Sequence, residues 1–157
     1  MEIVKRPDPP AGLRRVLWRL PIRLFRLGLG PLLSRRLMLL NHVGRVSGRP
    51  RQVVVEVVEH GPDGYVAPSG FGPGSDWYKN ITKTPDVVIQ VGGRVMRATA
   101  VPLSPEEGAG IMARYAPRHP ALARRLCAFM GFAVDGSTAD YREVGRHIPF
   151  VRFVPTG

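Results

Sequence analysis

The chain has 157 residues, 44% of them hydrophobic, and a formal net charge of +11. That length suits one domain with one core, large enough to fold without metal or disulfide staples. The single cysteine, Cys127, excludes an intramolecular disulfide, fits a reducing cytoplasm, and in its apolar stretch reads as packing.

The charge is unevenly spread. Residues 1–36 hold nine Lys or Arg and two acids, a net +7, and leave +4 for the rest. Such a charge answers nucleic acid, an anionic membrane surface or an acidic ligand. Residues 1–10 carry Pro7, Pro9 and Pro10 and read as an irregular lead-in. From Leu13, the leucines and Val16 recur at helical spacing to Leu27, with Arg14, Arg15, Arg19 and Arg23 on the other side. Pro21 kinks or splits this basic amphipathic helix, and Gly28, Gly30 and Pro31 end it. Its leucine stripe reads as cover for the core. Its arginines leave peripheral contact with an anionic membrane open, with Trp18 and Phe25 dipping into the interface. The arginines interrupt any signal-peptide-like apolar region, and no apolar run approaches the ~20 residues that span a bilayer.

Leu37 to His42 reads as the first strand, and Gly44–Arg51 as the loop after it. Valine-rich Gln52 to Glu59 is the next strand, Pro62-Asp63-Gly64 a turn, and Tyr65 to Pro68 the returning strand. The Ser69–Gly74 loop has three glycines in six residues. Asp76 is placed to cap a short helix from Trp77 to about Lys83. Val87 to Val91, Gly92-Gly93 and Arg94 to Val101 form a hairpin. Ser104-Pro105-Glu106-Glu107 is a capping box opening a helix to about Tyr115. Further helices cover Pro120 to Met130 and Thr138 to Arg146, and Phe150 to Val154 is the last strand. Regular βαβ alternation is missing, which argues against a doubly wound parallel sheet. The pattern predicts a mainly β, α+β fold: a small antiparallel barrel or strongly curved sheet flanked by helices. Residues 1–36 form a basic helical extension packed on or near it, and residues 37–157 the domain proper.

Candidate sites follow from residue chemistry. In Gly44–Arg51, glycines let backbone N–H groups approach an anion, Ser47 adds a hydroxyl, and arginines add forked cationic donors. Binding of a phosphate or carboxylate and a merely solvated basic loop are both open readings. No Gly-Lys-Ser/Thr follows, so the loop is not a P-loop. Ser69–Gly72 is either a second backbone cradle or an ordinary glycine loop. Trp77 and Tyr78 either pack in the core or cover a flat ring, with Asn80 a polar contact on the same helix. His42, His60, His119 and His147 are scattered without metal spacing, so no metal site is expected. His119, near Tyr115 in a Pro-flanked turn, is a proton-donor candidate or a surface histidine. No nucleophile elbow and no paired carboxylates occur, so any reaction is carried by a cofactor. Nucleic-acid recognition lacks a helix-turn-helix, zinc or aromatic-interleaved signature.

Two segments carry a resemblance to a known family. Leu39-Leu40-Asn41-His42-Val43-Gly44-Arg45-Val46-Ser47-Gly48-Arg49-Pro50-Arg51 is one. Asp76-Trp77-Tyr78-Lys79-Asn80-Ile81, followed by Pro85-Asp86-Val87 and a hairpin, is the other. Over roughly residues 35–101 the chain resembles the deazaflavin-dependent nitroreductases, which use coenzyme F420. The resemblance implies a split β-barrel related to the flavin reductases. It implies hydride transfer from reduced F420 to a small planar acceptor: a nitroaromatic, an enone or a quinone. Carried over by position, Arg45, Ser47, Gly48 and Arg51 hold the anionic phosphate and glutamate tail. Val53 and Val54 line the ring, and Ser69, Gly70, Phe71 and Gly72 approach it with backbone groups. Trp77, Tyr78 and Asn80 close the groove. Tyr115 and His119 fall on the acceptor side as candidate catalytic residues. Val46 stands where members commonly have Lys or Arg, and Gly70 where a Lys often follows the loop serine. Alternatives on the same fold are FMN as cofactor, or a non-catalytic carrier of F420 or an apolar ligand. The resemblance also makes a homodimer an expectation. The expected location is cytoplasmic, peripheral at the inner face of the cell membrane if a quinone is the acceptor.

Overall fold

The computed structural model describes residues 2–3, 36–70 and 72–156. The expected helix at 13–27, with most of the 1–36 extension, lies outside the described residues, as does Phe71. The strands are β1 (Glu2–Ile3), β2 (Leu37–Val43), β3 (Pro50–Glu56), β4 (Glu59–Gly61), β5 (Gly64–Pro68), β6 (Asp86–Val91), β7 (Arg94–Pro102), β8 (Phe132–Ala133) and β9 (Phe150–Pro155). The described helices are α1 (Asp76–Lys83), α2 (Pro105–Arg118), α3 (Pro120–Phe129) and α4 (Thr138–His147). Seven strands make one antiparallel sheet in the order β3-β2-β6-β7-β9-β5-β4, and β1 pairs separately with β8. The large sheet curls until β3, at one edge, touches β5 near the other. This is the expected barrel.

Strand periodicity decides which side chains fill it. Successive strand residues point to opposite faces. Along β2 and β3, Met38, Leu40, Val53 and Val55 pack inward with Ile89, Ala98 and Phe153. Along β5 and β9, Tyr65, Ala67, Val151 and Phe153 face inward, while Val66 and Phe150 face out into a second cluster. That outer cluster is completed by Ile111, Met112, Cys127 and Val144 of α2, α3 and α4. Hence β5 is buried at every residue. Inside the barrel, Trp77 and Ile81 of α1 join the inner cluster.

Turn chemistry sets the register. Gly64 closes the β4–β5 turn at φ 117, against the Phe153 carbonyl, where a Cβ would collide. Gly92 turns β6 into β7 at φ 58. The Ser104–Glu107 box is formed in both directions. The valine-rich run divides at Val57-Val58 into β3 and β4, because Val57 N–H bonds the Arg36 carbonyl and Val58 N–H the Val66 carbonyl. Helix α2 extends beyond Tyr115 to Arg118 and includes Pro117 in its last turn. Asp76 is inside α1; the N-cap is Ser75, whose side chain makes no cap bond.

Candidate active site

The Gly44–Arg51 segment links β2 to β3 and is closed by two backbone bonds, Gly44 N–H to the Arg49 carbonyl and Gly48 N–H to the Gly44 carbonyl, both 2.9 Å. Gly48 sits at φ 68, a region open to glycine and strained for most other residues. Ser47 Oγ accepts from the Arg49 N–H at 3.2 Å. Arg45 turns back onto α1. Its N–H and Nη1 both donate to Asn80 Oδ1, at 3.0 and 2.9 Å, and its Nη2 pairs with Asp76 Oδ1 at 3.3 Å. Lys83 Nζ donates to the Arg45 carbonyl at 2.7 Å. Arg49 and Arg51 are exposed, and neither side chain makes a hydrogen bond or ion pair among the described residues. Val46 is 93% exposed at the tip.

Beneath the loop, Asn80 is 4% and His42 5% exposed, and Asn80 Nδ2 meets His42 Nδ1 at 3.1 Å. His42 lies directly across the β2–β3 ladder from Arg51. Burial, followed by the charge of Arg51, lowers the His42 pKa to about 4 against a smaller opposing effect of Asp76. Sequence reasoning missed His42, Asp76 and Lys83 as members of this constellation. The signal available was His42 in alternation with Met38 and Leu40, on the otherwise apolar inward face of β2.

The glycine loop after β5 is tied down rather than open. Ser69 is fully buried, its N–H bonds the Pro149 carbonyl at 2.8 Å, and its Oγ donates to the Gly72 carbonyl at 2.6 Å. Gly72 sits at φ 77. Gly70 faces the edge of Phe129. The loop feeds α1, so it is joined to the Arg45 loop through Asp76. Trp77 packs in the barrel core against Phe153, with ring centroids 6.3 Å apart, and meets Tyr78 edge-on at 6.1 Å. Tyr78 is half-buried against the same core.

Tyr115 and His119 come together at the other end of the β2–β3 hairpin. Their rings lie 5.1 Å apart. Tyr115 Oη donates to Glu56 Oε1 at 3.3 Å, at the last residue of β3. Burial and the neighbouring Glu56 carboxylate push the Tyr115 pKa up to about 12, so the phenol stays neutral. Arg36 Nη2 meets His119 Nδ1 at 3.3 Å. A guanidinium only donates, so Nδ1 accepts and Nε2 carries the ring proton. Glu56 and Arg36 were not among the residues expected here. Of the two valines between the ends, Val53 packs inward, while Val54 lies on the opposite face with Glu56. The two valines therefore do not line one surface.

The seven-residue strands separate the ends of the hairpin by about 20 Å at ~3.3 Å per residue. One end offers a glycine-bearing loop, a hydroxyl and uncompensated arginines, a donor set suited to an anion. The other offers a neutral phenol, a carboxylate and an imidazole. The donor set fits an elongated cofactor with an anionic tail and a neutral ring. Among the described residues no group of His, Cys, Asp and Glu could hold a metal ion, and no helix is long and apolar enough to cross a membrane.

Comparison with solved structures finds the same fold. A structure described as an F420-H2 dependent reductase, FDR-A, is 23% identical, with TM-score 0.53, over 77% of this chain and 96% of that one. A structure described as a domain-swapped dimer is 21% identical, with TM-score 0.55, over 88% and 97%. HutZ, the heme storage protein of Vibrio cholerae, is 15% identical, with TM-score 0.52, over 84% and 89%. At these identities the likeness is one of fold, the split β-barrel. No curated protein matches the chain. The model of the F420H(2)-dependent quinone reductase family matches residues 25–126, which include the Gly44–Arg51 loop, α1, and Tyr115 with His119. With roughly two thirds of its length matched by that model, the chain belongs to the F420H(2)-dependent quinone reductase family, a family of oxidoreductase enzymes.

Proposed function

We propose that the protein binds F420 along the β2–β3 hairpin and reduces a small planar acceptor, with a quinone first among quinones, nitroaromatics and enones. The observation that carries this reading is the pairing on one hairpin of an anion-suited loop at one end with the Tyr115–Glu56–His119 group at the other. Bound reduced F420 supplies the hydride.

The protein's own residues have four tasks. Ser47, Gly48, Arg49 and Arg51 hold the phosphate and glutamate tail, with Arg45 bracing the loop. Val54 and the backbone of the Ser69–Gly72 loop border the ring, and Trp77 and Tyr78 support that wall from the core. Tyr115 is held by Glu56 as a neutral positioning group. Losing its proton would set a phenolate beside a carboxylate, which disfavours it as an acid. His119 Nε2–H is the donor left for an acceptor oxygen on which negative charge develops. In order, these tasks are tail binding, ring binding, alignment and charge stabilisation.

The test is a fluorescence titration with F420 and with FMN, followed by single-turnover assays on a quinone, a nitroaromatic and an enone. Tighter binding of FMN overturns the cofactor assignment. Firm F420 binding without turnover on any acceptor makes the protein a carrier instead. His119→Ala is expected to slow the single-turnover step on the order of a hundredfold, the scale of one lost oxyanion donor, and Tyr115→Phe only a few-fold. An unchanged rate in both variants removes the acceptor-side assignment.

The net +7 of residues 1–36 supports peripheral contact with an anionic membrane from the cytoplasmic side, useful for a bilayer-dissolved quinone. Deletion of residues 1–27 should then abolish flotation with anionic vesicles while the barrel's unfolding transition persists. A homodimer, as in the neighbour described as a domain-swapped dimer, is testable by light scattering.

A further inference from the structure

We propose that Asn80 and His42 form a buried positioning relay that sets the shape of the Arg45–Arg51 loop, and through it the affinity for the cofactor's anionic tail, without touching the cofactor. The inference rests on the reading of that loop as the tail site.

The loop closes on itself by two backbone hydrogen bonds and the Ser47–Arg49 bond, and among the described residues the contacts that fix it from outside come from one helix. Asn80 is the centre of that attachment. Its Oδ1 takes two donors from Arg45, so the amide has one workable orientation; reversed, its NH2 would face an N–H and a guanidinium. The NH2 group then faces His42 Nδ1, which must accept. An acceptor Nδ1 requires an unprotonated imidazole, and the buried His42 is held in that form well below neutral pH. His42 in turn is fixed in the β2–β3 ladder opposite Arg51. The relay therefore links the barrel wall, the helix inside its mouth and the loop above. Arg45 is consumed as the fastener, with part of its charge offset by Asp76. Arg49 and Arg51 remain as the cations directed to a ligand. A donor or acceptor stranded in this buried site disturbs the loop because its partners have no water to turn to.

The test compares two ligands by ring fluorescence anisotropy: F420, and the deazaflavin ring with its ribityl chain but without phosphate and glutamates. Asn80→Leu and His42→Leu should weaken F420 about tenfold and leave the tail-less ligand within twofold. His42→Asn, whose amide oxygen can stand where Nδ1 accepts, should restore F420 affinity. Equal losses for both ligands, or no loss for F420, overturn the relay. If Asn80→Leu does not fold, the His42→Leu and His42→Asn pair decides alone. Arg51→Ala separates the two levels. Unchanged F420 affinity there defeats the tail-site reading itself. A loss there, together with normal F420 binding in Asn80→Leu and His42→Leu, defeats only the relay.

Discussion

At the scale of single residues, the energetics concentrate on His42 and on the two free arginines. The folded-state pKa of His42, about 4, lies below its unfolded value of 6.5. Between those values the unfolded chain binds more protons, so stability rises with pH across that window. The contribution is complete above about pH 6.5 and is lost as pH falls toward 4, about 3 kcal/mol in all. Urea unfolding at pH 7 and pH 4.5 should show this loss in the wild type and a smaller one in His42→Asn. Equal pH dependence in both would remove His42 as the source. For the arginines, Arg51→Ala should weaken F420 by roughly tenfold or more, as expected for charged hydrogen bonds worth ~1.5–3 kcal/mol. Raising the salt concentration should erode the wild-type advantage. A salt-independent affinity would place the tail elsewhere.

At the scale of elements, helices α1, α2 and α4 have separable duties. Helix α1 carries Trp77 and Ile81 inward for the core and Asn80 and Asp76 toward the loop, so eight residues connect the core to the loop proposed to hold the tail. Helices α2 and α4 approach so closely that a Cβ on Gly108 would strike the Gly145 backbone, and a Cβ on Gly145 that of Gly108. Gly145→Ala should therefore cost about 1–3 kcal/mol by overpacking, read as a lower urea midpoint. Ser104→Ala should cost ~1 kcal/mol by removing the capping box. F420 affinity should be unchanged in Ser104→Ala, because α2 meets the proposed groove only at its far end, through Tyr115. A binding loss from that cap substitution would mean that α2 positions the ring as well as the acceptor.

At the scale of the whole molecule, the barrel separates two chemistries that the chain places 70 residues apart. The basic loop and Tyr115 are joined by the length of one hairpin. Which residues belong to these regions was partly legible in sequence. Alternating apolar residues, Gly64, Gly92 and the Ser104 box determined the strands, turns and α2, because these are local preferences of backbone and solvent. The glycines and arginines of 44–51 marked an anion-suited loop for the same reason: charge and φ freedom belong to the residues themselves. Only the tertiary structure decided that Arg45 turns back onto Asn80 and Asp76, that His42 lies buried opposite Arg51, and that of the two adjacent valines it is Val53 that faces the core. It alone brought Glu56 and Arg36 to Tyr115 and His119. These outcomes depend on strand register and on the seating of α1 in the barrel mouth, long-range pairings whose energies lie in contacts between segments rather than within any one of them.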